Sequence, residues 1–141
     1  MRKFLASISL LFLCAFSQSL MAQASFPDRV GARAKYAASI ELKKGYVSGI
    51  CVLLREEEGV RGCLFNEFGI SALDFVYYPE KGKVRLESVM KMLDKWYIRK
   101  VLRKDLVRLM ENLQQGTDTY RDEKFNINYK FSLLKEDATE K

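Results

Sequence analysis

Residues 46–78, YVSGICVLLREEEGVRGCLFNEFGISALDFVYY, decide the architecture. Over 46–56 the chain is apolar and β-branched at both odd and even positions, as a strand covered on both faces would be. Three glutamates and Gly59 follow, a solvated turn whose glycine tolerates positive φ. Residues 60–68 then return as the partner strand of a hairpin. Asn66 and Glu67 beside Gly69 are turn-forming neighbours, and 70–78 resumes with strand residues until Pro79 and Gly82 end it. A thiol, an amide and two acids in apolar surroundings could also be read as a site. Two strands and a bend account for every one of them. Asp74 shares its parity with Ile70, Ala72, Val76 and Tyr78, so it points to water on a half-buried face or marks the mouth of a cavity.

Outward from this stretch, residues 36–43 alternate Ala38, Ile40 and Leu42 with Ser39, Glu41 and Lys43, and Lys44-Gly45 is a turn signal. From Val84 the period changes. Leu86, Val89, Met90, Leu93, Tyr97, Ile98, Val101, Leu102, Leu106, Leu109, Met110 and Leu113 follow the i, i+3, i+4 spacing of an amphipathic helix. Asp94 is suited to cap a second helix starting at Lys95, and Gly116 is a natural stop. Arg99, Lys100, Arg103 and Lys104 fall opposite the apolar stripe. Trp96 and Tyr97 are expected in the core, with a lipid interface as the alternative. Residues 124–134 close the pattern, with Phe125, Ile127, Tyr129, Phe131 and Leu133 alternating against Asn126, Asn128, Lys130 and Ser132. The fold class is therefore α+β, an antiparallel sheet with one or two helices packed on one face.

Residues 1–24 join Arg2 and Lys3 to an apolar run from Phe4 to Phe16 and end in Ala22-Gln23-Ala24, the layout of a bacterial signal peptide. The run is shorter than the ~20 residues of a membrane-spanning helix. Cleavage after Ala24 is expected; lipid attachment at Cys14 is disfavoured, because Phe12 and Leu13 stand where small residues are wanted. The expected location is periplasmic or secreted. The remaining organisation reads as a flexible segment 25–34, one domain over 35–134, and a charged tail 135–141. Loss of Arg2 and Lys3 would take the net charge from +6 to +4. Residues 81–108 alone hold ten basic residues against Glu87, Asp94 and Asp105. Such a block suits an anionic membrane or a solvated helix face; nucleic acid is a poor partner for an exported chain that lacks any recognised binding motif.

The chain has no histidine. Histidine-dependent general-base, nucleophile and metal chemistry is thereby excluded. Cys51 and Cys63 are too few for a structural zinc site and are not spaced as C-x-x-C. No phosphate loop or dinucleotide fingerprint is present, and no cofactor is implied. Glu67 and Asp74 are the carboxylates set in apolar sequence that could serve carboxylate-only catalysis, but solvated acids at strand ends are commoner. The expectation is a binding protein rather than an enzyme. Cys51 and Cys63 lie on the two strands of the hairpin with equal parity. Its turn centre falls past their midpoint, which disfavours direct pairing, so buried thiols are expected rather than a disulfide.

The order SGICVLL (48–54), RGCLFNEFGISALDF (61–75) and LDKWYIRKVLRKDLVRLM (93–110) resembles small exported bacterial proteins of the LolA/LolB-like class, with Gly49, Arg61, Phe68, Gly69 and Asp105 as the matching positions. That resemblance implies a curved antiparallel sheet forming an incomplete barrel, helices on its concave side, and an apolar cavity for acyl chains. It supplies no catalytic residue. Two functions follow as expectations. One is a carrier of a lipid or other apolar ligand, with Ile98, Leu102, Leu106 and Leu109 as cavity floor or plug and Arg99, Lys100, Arg103 and Lys104 facing anionic membrane. The other is a structural or interaction subunit whose filled fold meets another envelope protein.

Overall fold

The computed structural model describes residues 26–134. The expected signal peptide, the alternative at Cys14 and the charged tail lie outside them. Seven strands form one antiparallel sheet: β1 (Arg33–Leu42), β2 (Gly45–Arg55), β3 (Val60–Asn66), β4 (Ser71–Tyr78), β5 (Lys83–Val89), β6 (Thr119–Asp122) and β7 (Ile127–Leu133). Their spatial order is β5-β4-β3-β2-β1-β7-β6. A 3₁₀ turn (Lys91–Leu93) and one helix, α1 (Trp96–Gln114), connect β5 to β6. The helix contacts β5 and β6, which are opposite ends of the sheet order. A flat sheet of seven strands could not bring both edges to one helix, so the sheet curls into a half-barrel and α1 closes its open side. Among the described residues, no helix is long and apolar enough to cross a membrane.

Alternation sets the inside of the half-barrel. Tyr36, Ala38 and Ile40 of β1, Val47, Cys51 and Leu53 of β2, Val60 and Leu64 of β3, and Leu73, Phe75 and Tyr77 of β4 all face inward and are buried. Ile127, Tyr129 and Phe131 complete the inner face from β7. From α1 come Leu102, Leu106, Leu109 and Met110, each at 0% exposure. Burial of each such side chain is worth about 1.5–3 kcal/mol, so the helix is held by its stripe. Its C-terminus ends where Gly116 predicts: the Thr117 N–H donates to Asn112 O at 2.8 Å and the Gly116 N–H to Leu113 O at 3.1 Å.

The bend between β3 and β4 is built as expected. Asn66 Oδ1 accepts from the N–H groups of Phe68 (2.9 Å) and Ile70 (3.0 Å), and Gly69 takes φ +78°. Phe26 packs edge-on against Tyr77 with centroids 6.4 Å apart, so the front segment expected to be loose is anchored to the core.

Several expectations are corrected. Residues 84–89 are strand, not helix: Val84 and Leu86 are buried while Arg85 and Glu87 are exposed. Leu86, Val89, Met90 and Leu93 fit a helical spacing because a bulge at Glu87 breaks the alternation, pairing Leu86 with Phe75 and Ser88 with Asp74. Among the described residues there is accordingly one α-helix, and Asp94 does not cap it; Lys95 is the cap residue, without a side-chain bond. Asp94 Oδ1 instead accepts from Arg99 Nη1 at 2.8 Å. The strand expected from 124 begins at Ile127, after a turn in which Asn126 has φ 55°, and it pairs with an unexpected strand, β6. Phe125, left outside the strand, is exposed, and so is Leu133 at the far end of β7. Trp96 is 77% and Tyr97 49% exposed, so neither is a core residue. Finally, β2 is buried on one face only: Ile50 is 40% exposed, and Val52 and Leu54 are half-buried on the outside.

Candidate functional site

A pocket of about 370 Å³ opens at the end of the half-barrel beside the start of α1. Three turns converge there. The β1–β2 turn brings Leu42, Lys43, Lys44 and Gly45; the 3₁₀ turn brings Met92 and Leu93; the β6–β7 turn brings Phe125 and the following Ile127. The first turns of α1 supply Lys95, Tyr97, Ile98 and Val101. The lining is mostly apolar, and its polar side chains are those of Lys43, Lys44, Lys95 and Tyr97. The rim is close-fitted at one point, since a Cβ on Gly45 would stand 2.9 Å from Met92 Sδ. The start of α1 adds to the positive field: its first turn holds no acidic residue and its cap residue makes no side-chain bond.

Of the four residues expected to floor a cavity, Ile98 alone lines this pocket. Leu102, Leu106 and Leu109 are at 0% exposure in the core, where they fill the space between helix and sheet. On the basic face, Lys100, Arg103 and Lys104 are exposed, whereas Arg99 is ion-paired with Asp94. The pocket's lysines at 43, 44 and 95 were not foreseen. Lys44-Gly45 reads as a turn signal in one dimension, and only the curl of the sheet sets that turn beside α1.

The two carboxylates singled out in sequence are not brought together. Glu67 lies exposed in the β3–β4 bend, while Asp74 is half-buried on the outer face, where it accepts from Ser71 Oγ at 2.8 Å. Asp74 is the register partner of Cys63. Burial, then the neighbouring Asp74, pushes the Cys63 thiol up to about 11, away from a reactive thiolate. Cys51 pairs with Leu64 and Cys63 with Val52, so the two cysteines point to opposite faces and both are free. Cys51 is buried in the core; Cys63 is half-buried on the outside.

The acids that do meet are Asp105 of α1 and Asp122 of β6. Asp105 is fully buried; its Oδ2 accepts from Tyr129 Oη at 2.8 Å, and no donor reaches Oδ1. Burial first, and then the Asp122 carboxyl, pushes Asp105 up to about 7, with the Tyr129 hydroxyl pulling the other way. Burial also acts to raise Asp122. Even so, the Asp105 carboxyl and the Phe125 N–H, which donates to its Oδ1 at 3.1 Å, hold it below the usual carboxylate range. A proton carried by Asp105 would let its Oδ1 donate to the Asp122 carboxylate, satisfying the atom that otherwise has no partner and tying helix to edge strand. The signal for Asp105 was legible: it lies three residues after Leu102 and four before Leu109, on the apolar stripe.

A scan against protein-family models and a search of the curated proteins find no match to this chain.

Proposed function

We propose that this protein is a non-enzymatic binding module of the bacterial cell envelope that takes a small amphiphile, one apolar chain with an anionic head, into the pocket at the start of α1. The observation that carries the reading is the pairing of an apolar wall with a lysine rim in one concavity. Its volume lies at the lower end of the about 300–1,000 Å³ common for small-molecule sites, room for one small apolar body rather than a bundle of acyl chains. The filled interior argues for the end of the barrel over its middle, and the leader read in residues 1–24 supports an exported setting.

A dansyl-labelled fatty acid, titrated below its micellar concentration, tests this. Binding should be saturable and stronger than that of the matching fatty alcohol. Ile98→Phe should abolish uptake by filling the wall. Lys44→Glu combined with Lys95→Glu should remove the preference for the acid. Binding that does not saturate, or that Ile98→Phe leaves unchanged, contradicts the reading.

The second reading, a subunit of an envelope assembly, draws support from the outward row of Ile50, Val52, Leu54 and Phe65, where Ile50 pairs with Phe65 across β2 and β3. If that row meets a second copy, sedimentation velocity should show concentration-dependent association that Ile50→Lys removes.

A further inference from the structure

We infer that the mouth of this pocket docks end-on onto an anionic bilayer, with Trp96 and Tyr97 seated among the lipid headgroups. Trp96, Tyr97, Phe125 and Met92 are 77%, 49%, 46% and 38% exposed. Three of them line the pocket, and the fourth, Trp96, stands edge-on to Tyr97 with ring centroids 5.7 Å apart. They come from three separate segments, the 3₁₀ turn, the start of α1 and the β6–β7 turn, so the fold gathers large apolar side chains at one end and leaves them in water. Patches of this kind mark interaction surfaces. Tryptophan and tyrosine, with an apolar ring and a polar edge, are the side chains that favour a bilayer interface.

Charge selects the occupant. Lys43, Lys44 and Lys95 share the rim, and Lys124 Nζ lies 5.6 Å from the centroid of the Phe125 ring. Asp94, the acid in the same stretch as Trp96, is already paired with Arg99. Lysine stems reach along apolar surface and keep their ammonium groups at the level of phosphates, so rings and lysines can be satisfied together by one anionic lipid surface. Docking stands on these exposed groups and does not require an occupied pocket. Taken with the amphiphile reading, on which this one consequence rests, the orientation turns the pocket toward the lipids its ligand would leave.

Trp96 is the chain's one tryptophan, so its emission reports this surface directly. Vesicles containing phosphatidylglycerol should shift the emission to the blue, brominated lipid should quench it, and both effects should fade with salt; pure phosphatidylcholine should produce neither. Lys43→Glu with Lys44→Glu should weaken vesicle binding about ten-fold or more. Arg103→Glu with Lys104→Glu, an equal change of charge on the flank of α1, should weaken it far less. Ile98→Phe, which abolishes fatty-acid uptake on the amphiphile reading, should leave docking intact, so the two ideas fail separately. Absence of vesicle binding, binding with Trp96 emission unchanged, or equal loss from the two charge reversals would each overturn the inference.

Discussion

Asp105 links the chemistry of one buried side chain to the stability of the fold. Its pKa is raised to about 7, so the folded state holds a proton that the unfolded chain gives up near the ordinary carboxylate value of 3.8. The stability this contributes is fully present below that ordinary value and is lost as pH rises through about 7. Asp122 works in the opposite sense, its contribution fading only as pH falls below the ordinary carboxylate range. With no histidine in the chain, the loss on going from weakly acid to weakly alkaline solution is traceable to Asp105. Urea midpoints should fall across that interval. Asp105→Asn keeps an acceptor for Tyr129 and offers Asp122 a permanent donor, so its midpoint should be nearly flat and higher than the parent's in alkali. Gly62 is a second decisive position. A Cβ there would lie 2.3 Å from Phe75 Cζ, inside a ring that is itself fully buried. Gly62→Ala should lower stability by about 1–3 kcal/mol through overpacking, measured by the same denaturation. Asp105 could be read from the stripe it interrupts. Gly62 could not, because its constraint comes from the strand beside it.

At the scale of elements, α1 is a plug held by leucines. Leu102 is at 0% exposure, and Leu102→Ala should cost about 2–5 kcal/mol in chemical denaturation, with little change in fatty-acid binding. A small stability cost joined to a large binding change would instead mean that Leu102 lines a ligand cavity. The hairpin of β2 and β3 and the bend into β4 were legible because β-branched apolar runs, turn residues and a glycine agree there, although the one-sided burial of β2 was not. The helix was legible from Ile98 onward for the same reason. Its start was not. Residues 84–89 satisfy both a strand with a bulge and a helical turn, and the choice is made by β4, whose edge takes them as a partner. Likewise β6 is only Thr119–Asp122, too short for a periodic signal, and exists because β7 pairs with it.

At the scale of the whole fold, the seven strands and one helix of the described residues make a filled half-barrel with an open end. Curling brings β5 and β6 to the same helix, the leucines of α1 occupy the middle, and the turns at one end are left to form a lysine-rimmed pocket. The curved sheet with a helix on its face was an expectation of the sequence, but the meeting of the turns was not legible, since Lys43, Met92, Lys95 and Phe125 are brought together only by closure. Methyl NMR during titration with a short fatty acid below its micellar concentration tests the account most directly. Saturable shifts should appear at Leu42, Ile98, Val101 and Ile127, while Leu102, Leu106 and Leu109 stay in place. Shifts centred on those three interior leucines, or no saturable shift at the four pocket methyls, would contradict it.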